Sequence, residues 1–104
     1  MASRKAYLDY ILEQLSDLDD ISYRPMMGEY VIYYKGKVIG GIYDDRFLVK
    51  PTKSANRLLP NAQLEAPYPG AKDMIFVEDV DNRELLAKLL DGMVEELPTR
   101  RKRR

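Results

Sequence analysis

Tyr7, Leu8, Ile11, Leu12, Leu15 and Leu18 recur at spacings of one, three and four. At 100° per residue they fill a stripe about 140° wide, which predicts an amphipathic helix near residues 4–18 with Ser3 as its cap. The pattern then changes. Ile21–Met27, Glu29–Lys35, Val38–Tyr43 and Phe47–Lys50 are rich in β-branched and aromatic residues and read as four consecutive strands. The links are short: Lys35-Gly36-Lys37 supplies a hairpin glycine and Asp44-Asp45-Arg46 a second turn. Such links force antiparallel neighbours, because a parallel pair needs a crossover of a dozen or more residues. Ser54–Leu59 can make one or two helical turns before Pro60, and Ala66-Pro67-Tyr68-Pro69-Gly70 is a rigid connector. Asp73–Glu78 reads as a fifth strand. Leu85, Leu86, Leu89, Leu90, Met93, Val94 and Leu97 then give a stripe about 180° wide on a last helix near 81–97, with Asp81 as cap, Glu84 behind it and Pro98 as the stop. The expected fold is α+β: an antiparallel five-stranded sheet, a meander of four strands plus one, with an N-terminal and a C-terminal helix.

Two features exceed what a single-layer sheet requires. Tyr30, Ile32 and Tyr34 point one way and Val31 and Tyr33 the other, while Met74 and Phe76 oppose Ile75 and Val77. Both faces are therefore apolar, where a half-solvated sheet alternates apolar with polar. The last helix also carries a wider stripe than one contact needs. Both predict extra burial, most simply in a homodimer, with Tyr30, Ile32, Tyr34, Leu89 and Met93 as contact candidates. The alternative is a monomer whose edge tyrosines stay half exposed.

The chain has 104 residues, 45% of them hydrophobic, which suits one domain with a modest core. It contains no cysteine and no histidine, which excludes disulfides, thiolate nucleophiles, Cys/His zinc sites and His-based triads. Asp17, Asp19 and Asp20 lack the spacing of a calcium loop. Asp44-Asp45 and Lys50 are read as a solvated turn and a surface charge. No P-loop, G-x-G-x-x-G or G-x-S-x-G occurs. Gly40-Gly41, inside a strand, indicates a bulge or a close backbone approach. The chain is therefore expected to be non-enzymatic, without cofactor or metal. No membrane span or secretory leader is evident, so a cytoplasmic location is expected.

Acidic and basic residues balance at 17 each, but unevenly. Arg100, Arg101, Lys102, Arg103 and Arg104 end the chain, leaving residues 1–99 with 12 basic against 17 acidic side chains, net −5. This reads as one acidic domain over 1–99 and a disordered basic tail over 100–104. An acidic body repels phosphate, so nucleic acid, if bound, would meet the tail.

The ordered set Arg24-Pro25-Met26-Met27-Gly28-Glu29-Tyr30-Val31-Ile32-Tyr33, Lys35-Gly36-Lys37 and Asp45-Arg46-Phe47-Leu48-Val49-Lys50, with the Pro69-Gly70 connector and the acidic-capped last helix, resembles the N-terminal domain of the TfoX/Sxy family. The likeness covers about residues 4–97; Met27 replaces the usual Phe and Lys35 the usual turn Asp. Arg24, Met26, Gly28, Tyr30, Tyr33, Gly36, Asp45 and Lys50 match the family motif, which includes no catalytic residue. The resemblance implies an α+β fold similar to the dimeric secretion chaperones. It also implies kinship with regulators of natural competence, which act with a cAMP-receptor-type activator at promoters and carry a second, helical domain with no counterpart in these 104 residues. Two functions follow as expectations. The first is a regulatory or protein-interaction module working through a partner. The alternative is a nucleic-acid-binding domain using the basic tail and exposed tyrosines.

Overall fold

Three hairpins set the architecture. The computed structural model describes residues 3–97; the basic tail expected over Arg100, Arg101, Lys102, Arg103 and Arg104 lies outside the described residues. Helix α1 (Lys5–Gln14) precedes strands β1 (Ile21–Met26), β2 (Glu29–Tyr34), β3 (Lys37–Tyr43) and β4 (Arg46–Val49). Short helix α2 (Lys53–Leu58), strands β5 (Leu64–Glu65) and β6 (Met74–Phe76) and helix α3 (Arg83–Glu96) follow. The sheet order is β1-β2-β3-β4-β6-β5 and every pair is antiparallel. The sheet thus has six strands, not the five expected. β5 is two residues long and has no periodicity to reveal it. It exists because it pairs with the outer edge of β6, where the Phe76 N–H also reaches the Gln63 carbonyl at 2.9 Å.

Each of the first three hairpins turns on two residues of positive φ: Met27 and Gly28 (53° and 87°), Lys35 and Gly36 (53° and 79°), and Asp44 and Asp45 (54° and 57°). Paired positive φ marks the type I′ turn, whose twist matches that of the flanking strands. Met27, read from sequence as the end of a strand, is instead the first turn residue and is 96% exposed. Gly40-Gly41 shows both of its expected features. The β2–β3 register passes from Ile32↔Gly40 to Tyr33↔Val38, leaving Ile39 without a partner on β2. A Cβ on Gly40 would lie 2.1 Å from the Leu48 carbonyl oxygen, so the β3 and β4 backbones approach too closely for a side chain.

One sheet face carries Ile32, Ile42, Phe47, Val49 and Ile75, all buried, against Leu8, Ile11 and Leu15 of the α1 region and Leu86, Leu89, Leu90 and Met93 of α3. The wide stripe of α3 has an internal explanation. The helix packs on the sheet with one side and on α2 with the other. Contact with α2 is close because Gly92 faces Ser54: a Cβ there would sit 2.7 Å from Ser54 Oγ and 2.8 Å from its Cβ. Glu96 fastens the pair, accepting from the Ser54 N–H (3.0 Å) and Oγ (2.9 Å) near the start of α2, where Thr52 caps Ala55 N–H at 3.1 Å. The Ser54 N–H, then its hydroxyl, hold the Glu96 carboxyl below its ordinary range.

Two expected caps are corrected. Asn82, not Asp81, caps α3, its Oδ1 accepting from Leu85 N–H at 3.1 Å. Adjacent Asp and Asn can both cap, and the start of α3 is set by where Leu86 must face the core. Ser3 does not cap α1, whose cap position is Arg4 with no side-chain bond. Its hydroxyl is drawn instead to Glu29 and Asp45.

The Gly92 contact makes a test in which two effects have opposite sign. Helix propensity alone favours Gly92→Ala by about 1 kcal/mol. The buried Ser54 side chain cannot yield, so overpacking of about 1–3 kcal/mol should win. Urea denaturation should show a lower midpoint for Gly92→Ala; a higher midpoint would mean that α2 moves aside freely.

Candidate functional site

Strand alternation that sends Ile32 and Phe47 inward sends Arg24, Met26, Val31, Tyr33, Val38, Tyr43 and Leu48 to the outer face of the sheet. Among the described residues no helix covers that face. The connector over residues 66–72 does so in part, with Pro67 buried and Tyr68 56% exposed. Beneath it Leu48 is fully buried and Tyr43 nearly so, although neither belongs to the main core. The Tyr43 ring lies over Gly41, where a Cβ would meet it at 2.7 Å. Toward β1 the cover ends. Met26 is 41% exposed and Arg24 exposed, while Val31 and Tyr33 are half-buried.

A groove of about 430 Å³ opens at this margin, with Met26, Val38, Tyr43, Tyr68 and Met74 on its walls. Lys50, Lys72 and Asp73 supply its charges. Among the described residues neither lysine makes an ion pair. By contrast, Arg46, on the same face, pairs with Glu65 and donates from Nε to the Tyr43 carbonyl at 3.1 Å. The groove is thus an apolar channel with two free cations at its lip, on a domain whose first 99 residues are net −5. Methionine and tyrosine suit such a surface, because a thioether repacks easily and a phenol tolerates both water and apolar contact.

The residues of the expected family motif divide by role. Arg24, Met26, Tyr33 and Lys50 share the outer face, and Met26 and Lys50 line the groove. Gly28 and Gly36 are turn residues. Tyr30 lies on the core side, half-buried, its ring edge-on to Tyr23 at 5.9 Å. Asp45 belongs to a latch: its carboxylate accepts from Arg4 N–H (2.9 Å) and Nε (2.8 Å), and its own N–H donates to Ser3 Oγ (3.0 Å). Ser3 in turn donates to Glu29 Oε1 at 2.5 Å. The Arg4 N–H, foremost, holds the Asp45 carboxyl below its ordinary range.

Four of the five expected dimer contacts are internal. Ile32, Tyr34, Leu89 and Met93 are buried in this chain's own core and have no surface to offer a second copy; of that set Tyr30 alone is half exposed. Tyr34 is 3% exposed, and its hydroxyl donates to Asp91 Oδ1 of α3 at 2.6 Å. That bond, with burial adding to it, pushes the phenol up to about 12. The exposed tyrosines are not assembled for stacking: Tyr68 stands on the outer side, Tyr10 and Tyr23 on the helix side. Sequence reading missed Tyr68 and Lys72, because the connector showed only turn chemistry and gave no sign of which face it would cross, and it read Val38 only as a strand residue. Among the described residues no three acidic side chains gather to hold a metal, and no helix is long and apolar enough to cross a membrane.

Comparison with known proteins agrees with the motif. The TfoX N-terminal domain family matches residues 13–91, most of the chain. The chain belongs to this family. This TfoX N-terminal domain is also similar to an uncharacterised 12.7 kDa protein of the trpE 5′ region in Spirochaeta aurantia, 35% identical over 80 residues that cover 77% of this chain and 70% of the relative. No solved structure matches the domain.

The Tyr34–Asp91 bond gives the domain a signature at high pH. A phenol whose folded pKa lies above its unfolded value contributes stability that is complete below the unfolded value and is lost on rising to the folded one. Relative to Tyr34→Phe, the wild type should gain about 1–2 kcal/mol up to pH 10. The gain should vanish between pH 10 and about pH 12. Urea titrations of both proteins across that window check it; equal stability at neutral pH would remove the bond's role.

Proposed function

We propose that this TfoX N-terminal domain is a non-catalytic regulatory module that works in the cytoplasm by docking a protein partner on the outer face of its sheet. The observation that carries this reading is the groove: an apolar channel, left open by a connector that covers only half of a two-sided sheet. An exposed apolar surface on a small domain ordinarily marks an interaction site. The family's kinship with competence regulators supports a regulatory role exerted through a partner.

A second reading is a homodimer, as in the secretion chaperones that the family fold resembles, closed through the open half of the same face. It is favoured by Met26, exposed there, with Val31 half-buried on the same face. A nucleic-acid role through the tyrosines loses support, since they lie on opposite sides of the sheet.

The test compares wild type with Met26→Ser/Tyr68→Ser, a change confined to exposed side chains. A partner captured from nuclease-treated lysate should be retained by the wild type and lost on the variant, with both proteins melting alike. Capture that is abolished by nuclease would overturn the reading in favour of nucleic acid. Sedimentation equilibrium addresses the second reading: a mass near 12.1 kDa rejects the dimer and one near twice that supports it.

A further inference from the structure

Resting on the docking reading, we infer that the groove takes an acidic, apolar-rich peptide segment of a partner protein. Three observations select that chemistry. Met26, Val38 and Met74 make walls that fit aliphatic or aromatic side chains. Lys50 and Lys72 stand at the lip without an ion pair, and Arg24 extends the same face, also unpaired among the described residues, so three cations face two carboxylates, Asp73 in the groove and Glu29 opposite Met26, and the surplus is positive. The remainder of the domain reverses the sign. α1 and its exit carry Asp9, Glu13, Asp17, Asp19 and Asp20, and α3 carries four carboxylates, so a basic segment would be drawn to the helical layer rather than to the groove. A nucleic acid strand shares the negative charge but not the fit. The walls are mainly aliphatic, Tyr68 is the one largely exposed ring among them, and successive bases need successive stacking surfaces.

The edges of the sheet point the same way. β1 bonds to β2 through its even-numbered residues, as the Lys35 N–H to Asp20 carbonyl bond at 3.0 Å shows, so Pro25 presents its nitrogen to the free edge and removes a donor there. The other edge, β5, has two residues. Neither offers an added strand a continuous ladder, which leaves side-chain recognition in the groove.

The experiment selects random displayed peptides against the full-length protein, with carbon-13 methionine methyl spectra as the positional readout. The expected result is a consensus that combines Asp or Glu with Leu, Ile or Phe. The selected peptide should shift the methyls of Met26 and Met74 and leave the buried Met93 in place. Lys50→Glu/Lys72→Glu should weaken it by about tenfold, and added salt should weaken it further, while Lys88→Glu on α3 should not. A basic or uncharged consensus that shifts the same methyls would overturn the acidic chemistry and leave the docking reading standing. A library that yields no peptide acting on Met26 or Met74 would overturn both. Oligothymidylate shifting those methyls more strongly than any peptide, or self-association that masks them, would also overturn the proposal, assigning the groove to a nucleic acid strand or a second copy.

Discussion

The register of three two-residue hairpins decides everything else in this domain. A side chain's face in a strand depends only on parity, so one residue more or less in any turn would turn its strand over. Here the turns at Met27-Gly28, Lys35-Gly36 and Asp44-Asp45 keep Ile32, Ile42, Phe47 and Val49 on one side. Two of them contain a glycine, to which positive φ is nearly free. The third contains none, and a left-handed conformation costs an ordinary residue about 1–2 kcal/mol, less for Asp. The Asp turn is held from outside by side chains: Ser3 and Arg4 bind Asp45, and the Glu29 carboxylate accepts from the Asp44 N–H at 3.2 Å. The first described residues of the chain thus secure a turn more than forty positions away in sequence.

With register set, the helical layer accounts for apolar surface that seemed in excess. A stripe about 180° wide on α3 is more than a sheet alone can bury. The surplus is used by α2, a helix of six residues whose small, buried Ser54 and Ala55 let α3 come close at Gly92. Lys37 adds a polar tie, donating from Nζ to the Val94 carbonyl at 2.8 Å near the end of α3. The inference from stripe width to a second copy therefore fails for a physical reason: the periodicity of one helix says how much surface is covered and not by what.

Much of the fold was legible. Amphipathic periods located α1 and α3, and β-branched runs with short links forced the antiparallel meander. What escaped were choices settled by tertiary contact. Asn82 displaced Asp81 as cap although either could serve. Ser3 gave its hydroxyl to Glu29 rather than to a helix terminus. β5 is too short to carry a pattern. The groove was the least legible feature, since its walls come from β1, β3, β6 and a connector. Only the double-sided apolarity of Val31, Tyr33, Met74 and Phe76 announced that something must lie on the second face.

That second face shows how a small domain handles a sheet it cannot fully cover. A helix across it would need many more residues; a proline-rich connector of seven, already restricted before folding, loses less entropy on docking. It is long enough to bury Leu48 and Tyr43 and too short to reach Arg24 or Met26. The boundary between covered and open sheet is where apolar side chains meet water beside unpaired lysines. The protected edges at Pro25 and β5 disfavour strand addition, so any further burial of this face would involve its side chains rather than an added strand. The groove is in this sense a consequence of register and connector length together: the turns send Met26 and Val38 outward, and the connector stops short of Met26.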